Sequence, residues 1–242
     1  MKAIYSLPLK MLFLSVTVLW ILPFFSPYLS YAEENPLALG KKRFNHFCSQ
    51  CHGEKGSGDG VNSEYIDPPP RDLTDSIKEY LAKFTNEQII KAITIGGAGI
   101  DKSRNMPMWG MTLSEYEIGA VAGYVRTLHP NNAGPVDLAE LSRERPKTEL
   151  KEVNLEKTYL KSDLKIAMNY YKKFGCNGCH KINQLGGRSG PALDGIGSLM
   201  KARDIFNVIK NPLAVKENSR MPNLGLSDEH AAYLTGYLMS LK

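Results

Sequence analysis

One short pattern occurs twice in this chain and uses every cysteine it has: Cys48-Ser-Gln-Cys51-His52 and Cys176-Asn-Gly-Cys179-His180. A single Cys-x-x-Cys pair also suits a redox disulfide or half of a zinc site. Two copies narrow the choice, because each is followed by His and each has a Met-Pro pair downstream, Met106-Pro107 and Met221-Pro222. This arrangement predicts covalent attachment of two c-type haems. In that chemistry Cys48, Cys51, Cys176 and Cys179 form thioethers with haem vinyl groups. His52 and His180 are then the proximal iron ligands.

The N-terminus points to a compartment that permits such attachment. Lys2 and Lys10 precede an uncharged stretch from Met11 to Ala32, with an apolar core near Met11 to Phe25. Ser30-Tyr31-Ala32 has small residues at the outer and last positions of a cleavage site. Residues 1–32 therefore read as a secretory signal peptide. A retained membrane anchor is the alternative. The apolar core is shorter than the roughly 20 residues that cross a bilayer, and Pro23 and Pro27 interrupt it. In either case the remainder lies outside the cytoplasm, in the periplasm or an equivalent compartment.

The two motifs are 128 residues apart, so each can belong to its own small domain. The expected boundaries are 33–129 for the first domain, 130–159 for a linker and 160–242 for the second. The linker carries three prolines and dense alternating charge, and should lie over the domain surfaces. The domains end alike. Leu113 to Leu128 aligns without a gap to Leu226 to Leu241, with Gly123 matching Gly236 and Tyr124 matching Tyr237. Both segments start with a serine cap, and Glu117 completes a capping box with Ser114. A glycine within a helix costs about 1 kcal/mol relative to alanine. Its repetition predicts a second helix crossing closely there.

The pattern is all-α. Helices are expected over Leu37 to Ser49, Thr74 to Lys83, a segment capped by Thr85 and Gln88 and ending at Gly96-Gly97, and 115 to 128. In the second half they are expected near 162 to 175, 202 to 210 and 228 to 240. Gly53 to Asp72 and Gly186 to Gly197 read as loops.

With these motifs in place, both halves resemble class I cytochrome c domains, and the pair resembles secreted dihaem cytochromes c. The resemblance implies two tandem class I cytochrome c domains, in each of which an N-terminal helix crosses a C-terminal helix. It implies that Gly40 and Phe44 meet Gly123 and Tyr124. The second half departs from the pattern: the corresponding positions hold Met168 and Lys172, with Tyr171 and Phe174 as the nearby aromatics. The family holds its proximal histidine through a proline carbonyl. That makes Pro191 the partner of His180, and places the partner of His52 within Pro68-Pro69-Pro70, register open. Arg71 is placed to pair with a haem propionate. The resemblance also implies distal methionine ligands, Met221 in the second half and Met106 in the first, with Met108 as the competing choice. Trp109 would fill the pocket wall. His46, His129 and His230 read as solvated or capping residues.

Axial positions filled by His and Met leave no iron site open to substrate, and axial methionine raises the potential. The expected role is a single-electron carrier between a donor and an acceptor redox protein, not an enzyme. The alternatives are a cytochrome subunit of a membrane respiratory complex and a catalytic dihaem enzyme. A catalytic form resembling thiosulfate dehydrogenases would need a cysteine on iron, and attachment consumes all four. A peroxidase-like form would need a methionine that dissociates.

Charge separates the halves. Residues 33–129 carry 11 basic and 13 acidic side chains, and residues 160–242 carry 12 and 6. Lys172, Lys173 and Lys181 flank the second motif and suggest an acidic partner there. Nothing in the composition points to nucleic acid.

Overall fold

Asn35 starts the first helix. Its side-chain oxygen accepts from the Leu37 and Ala38 amides at 2.9 and 3.4 Å, and Pro36 occupies the first turn, where its missing N–H costs nothing. Helix α1, Pro36–Arg43, runs through a π-helical turn at Phe44–Cys48 into α2, Ser49–His52. The helical run therefore continues past Ser49, where it was expected to end, and carries both cysteines and the histidine of the first motif. Gly53 stops it with φ +76°, a conformation that disfavours any side chain.

The computed structural model describes residues 34–74, 81–129, 135–155 and 164–242. The expected leader lies outside these residues, as does most of the helix expected over Thr74 to Lys83. Its last three residues, Leu81–Lys83, form a 3-10 turn. No described helix is long and apolar enough to cross a membrane.

Helix α3, Asn86–Ile95, is capped by the reciprocal Thr85–Gln88 box and ends at Gly96. Helix α4, Glu115–Leu128, has the same box between Ser114 and Glu117. Helices α1 and α4 cross at Gly40. A methyl group there would stand 2.0 Å from the Ala120 carbonyl oxygen and 3.0 Å from Tyr124 Cβ. Phe44 then stacks on Tyr124 with ring centroids 5.3 Å apart. Ala120 and Tyr124 are four residues apart and share the helix face that meets Gly40. Gly123 faces α1 at a looser point of the same contact, where a methyl group added to it would lie 3.7 Å from Leu37 Cδ2. Buried Phe44, Phe47, Ile93, Trp109, Leu113 and Val121 build the core beneath. Arg126 is buried against it, donating to the Asn86 side chain and to the Leu81 and Phe84 carbonyls.

The second half packs α5, Leu164–Lys173, against the C-terminal α9, Asp228–Ser240. Between them come α6 (Ile196–Leu199), α7 (Ala202–Lys210) and α8 (Pro212–Val215). A two-stranded antiparallel hairpin, β1 Lys181–Ile182 and β2 Leu185–Gly186, pairs Ile182 with Leu185. Asn183 and Gln184 turn it with φ of 51° and 67°, the positive values a two-residue hairpin needs. Its core collects Tyr171, Ile182, Leu193, Phe206 and Leu234. The small and aromatic pair on α5 is Ala167 and Tyr171, not Met168 and Lys172. Ala167 is fully buried and Tyr171 faces Tyr237 at 5.8 Å, while Met168 and Lys172 are exposed. Gly175, at φ +73°, separates α5 from Cys176.

Residues 135–155 form a strap along both cores. Leu138 and Leu141 occupy the space left by Gly119, where a methyl would lie 2.6 Å from each. Leu155 is buried in the second core. Arg145 pairs with Glu117, Asn211 donates to the Thr148 carbonyl at 2.9 Å, and Arg203 to that of Val153 at 2.5 Å. Residues Glu34–Lys242 form one compact body with separate apolar cores in its two halves.

Candidate haem attachment sites

His52 ends α2, so the helix fixes its backbone, and the glycine-rich loop that follows returns to its ring. Gly58 donates to the His52 carbonyl at 2.8 Å, and Leu73 to that of Gly56 at 2.6 Å. These bonds bring the Arg71 carbonyl to 3.0 Å from His52 Nδ1. The partner is thus the carbonyl of Arg71, one residue beyond the proline run named in the sequence. In the second half the Pro191 carbonyl lies 2.9 Å from His180 Nδ1. Gly190 makes that approach possible, because a methyl there would sit 2.5 Å from the imidazole Cε1. Gly190 also donates to the Cys179 carbonyl at 2.9 Å, and the Tyr171 hydroxyl to that of His180 at 3.0 Å.

Each carbonyl accepts a hydrogen bond from Nδ1–H, so each neutral ring is held as the tautomer whose Nε2 has a free lone pair. Burial holds both histidines below their ordinary pKa, against the opposing effect of the carbonyls. A neutral ring with Nε2 free is the form that binds a metal.

The four cysteines form no disulfide. Burial, with a smaller contribution from a neighbouring cysteine, pushes the Cys48, Cys51 and Cys176 thiols up to about 12, and burial also raises Cys179. Thiol exchange requires the thiolate, which such values suppress at neutral pH. Met106 packs on the first core, which contains Trp109 and Phe47 with rings 5.0 Å apart, and Met221 packs on the second. The Met106 carbonyl accepts from Gly97 at 2.9 Å, which ties its loop to the end of α3. In each half, then, two unbridged thiols, an oriented imidazole and a thioether on the adjoining core form a donor set that fits haem c. The Arg71 side chain carries the one cation named for a propionate.

The halves meet at these motifs. Asn62, fully buried in the loop after the first motif, has its amide nitrogen 3.9 Å from Cys51 Sγ, 3.7 Å from Cys179 Sγ and 2.7 Å from Ser189 Oγ. Its oxygen accepts from the Arg188 and Ser189 amides at 2.9 and 3.0 Å. A separate contact between the halves has the Asn223 backbone amide donating to Thr112 Oγ1 at 2.9 Å. The sequence reading did not single out Asn62. An asparagine in a glycine-rich loop has no local mark that separates it from a turn residue.

The remaining histidines have packing roles. His46 stands edge-on to Phe47 at 4.5 Å, and His230 packs on Tyr170 at 4.7 Å while its amide is capped by Ser227. His129 caps the C-terminus of α4, the second of the two roles expected for it, and is 3% exposed. Lys172 and Lys173 are exposed on the last turn of α5, and Lys181 donates to Gln184 at 3.3 Å.

Residues 37–129 match the family model described as Cytochrome c. This stretch is a cytochrome c domain. The domain accounts for α1 through α4 and the first attachment site, and implies electron transfer through covalently bound haem c. No curated protein matches the chain. Among solved structures, the reducing HAO-like protein complex of Kuenenia stuttgartiensis has a similar chain, 23% identical, with a TM-score of 0.32, covering 84% of this chain and 95% of that one.

Proposed function

We propose that the chain is a dihaem cytochrome c, with class I domains at 33–129 and 160–242 joined by 130–159, that carries single electrons between redox partner proteins outside the cytoplasm. The observation that carries this reading is the recurrence of one geometry. In both halves the Nδ1–H of a Cys-x-x-Cys-His histidine donates a hydrogen bond to a loop carbonyl, at 3.0 and 2.9 Å.

Haem c, once attached, supplies a one-electron iron centre. The chain's own residues do the rest. Cys48 and Cys51, and Cys176 and Cys179, anchor the two groups. The Arg71 and Pro191 carbonyls orient His52 and His180 and increase their basicity as ligands. Met106 and Met221 would be the further residues to hold iron, one in each half. Trp109 and Phe47, buried in the first core, and Phe206, buried in the second, would give the group apolar surroundings. The Arg71 side chain balances a propionate. Lys172, Lys173 and Lys181 steer an acidic partner toward the second site.

The test is the haem content of the purified protein, from its alkaline pyridine spectrum and its intact mass. Two covalent haems per chain are expected, falling to one when Cys176 and Cys179 are both replaced by serine. A wild-type chain with one haem or none would overturn the reading.

A further inference from the structure

We propose that Asn62 is the positioning residue that clasps the two haem attachment sites edge to edge, so that the chain exchanges electrons internally as one unit. This inference rests on the dihaem reading above. Asn62 and Cys179 are 117 positions apart, and the strap between them is tied to both cores. At the attachment sites themselves it is Asn62 that makes the contact. Its amide nitrogen contacts the second thiol of each motif, at 3.9 Å for Cys51 and 3.7 Å for Cys179. These are two of the four atoms that would bond to haem.

Three features make this a built junction and not a chance contact. First, Asn62 comes from one half, is fully buried, and finds its closest polar partners in the other. A buried amide is costly unless its donors and acceptor are satisfied. Here the oxygen takes two backbone amides and the nitrogen takes Ser189 Oγ at 2.7 Å. Second, the segment it grips, 188–189, leads directly to Gly190 and Pro191, which hold His180. The clasp is therefore tied to the orientation of the second proximal ligand as well as to its thiol. Third, small residues clear the space. A methyl on Gly187 would be 2.8 Å from Asn62 Oδ1, and one on Gly175 would be 3.0 Å from the Arg104 carbonyl across the junction.

Cys51 and Cys179, which would hold the two haems, are thus bridged by one amide. The step this serves is internal exchange: one site gives up an electron, the other accepts it, and no bond or proton moves. An amide touching both sulfurs offers a short route that does not pass through solvent.

The test uses the full-length haem-loaded protein, with circular dichroism in the Soret band as the readout. Two haems held close together give a paired positive and negative signal, and isolated haems give a single band. Wild type should show the pair. Asn62→Leu, of similar size but without the amide, should keep two haems per chain and lose it. Asn62→Asp, which keeps the oxygen acceptor, should retain part of it. Ser189→Ala, a milder change at the same junction, should weaken it without affecting haem loading. A single band from wild type carrying two haems would overturn the clasp and leave the dihaem reading intact. An unchanged pair in Asn62→Leu would show that Asn62 does not hold the sites together. If Asn62→Leu fails to load haem, wild type and Ser189→Ala still decide the matter. Fewer than two haems in wild type would instead count against the dihaem reading.

Discussion

Arg145 in the strap grips Glu117 in α4 with two nitrogens, at 2.5 and 2.8 Å, and Arg43 of α1 adds a third contact at 2.8 Å. Glu117 also caps its own helix through the Ser114 amide at 3.0 Å. One carboxylate thus joins α1, α4 and the strap.

This junction makes stability depend on pH. Burial opposes ionisation of Glu117, but the Arg145 hydrogen bonds, the Ser114 amide and Arg43 outweigh it and hold its pKa below the usual carboxylate value. A group whose folded pKa is depressed stabilises the fold above its unfolded pKa, and that contribution is lost as pH falls through the folded value. Glu117→Gln should therefore cost about 1–3 kcal/mol near neutral pH. The cost stays modest because both arginines keep some contact with solvent. Denaturant unfolding of wild type and variant across pH is the check. The gap between them should shrink below about pH 4, the ordinary range for glutamate.

The helix crossing predicts opposite outcomes for two glycines. Gly40→Ala places a methyl 2.0 Å from the Ala120 carbonyl oxygen, where backbone has to move. Overpacking of this kind costs about 1–3 kcal/mol, more than the roughly 1 kcal/mol that alanine gains in a helix. Gly123→Ala meets only ordinary contacts near 3.7 Å, so its helix propensity should leave the fold neutral or slightly more stable. Thermal unfolding midpoints should move down for Gly40→Ala and stay level or rise for Gly123→Ala.

Met106→Ala should abolish the far-red absorption band that reports a methionine–iron bond in the first half and lower that haem's potential. Met108→Ala should leave both unchanged. Loss of the band in Met108→Ala alone would reverse the assignment.

If Lys172, Lys173 and Lys181 steer a partner, electron exchange with it should slow as salt rises. The Debye length falls from about 10 Å at 0.1 M to about 3 Å at 1 M, which screens exposed charges. Changing all three to glutamate should lower the association rate and leave the haem spectra as they were. Stopped-flow rates indifferent to both treatments would place docking elsewhere.

Local forces are legible in the order of residues, and there the sequence reading was close. The Thr85–Gln88 and Ser114–Glu117 boxes, the stop at Gly96 and the apolar spacing located α3, α4, α7 and α9, because caps and helical periodicity act within a few positions. The two Cys-x-x-Cys-His motifs are equally local and marked both candidate sites. The tertiary structure decided everything that depends on a meeting of distant segments. It set Gly40 tightly against Ala120 and Tyr124 and Gly123 loosely against Leu37, because the closest point of a helix crossing is chosen by the partner. It put Ala167 and Tyr171, each one position before Met168 and Lys172, on the buried face of α5. It selected the Arg71 carbonyl for His52, because the return path of a loop sets which oxygen arrives. And it buried Asn62 between Cys51 and Cys179, since hydrogen bonds between segments 117 residues apart leave no periodic trace in either one.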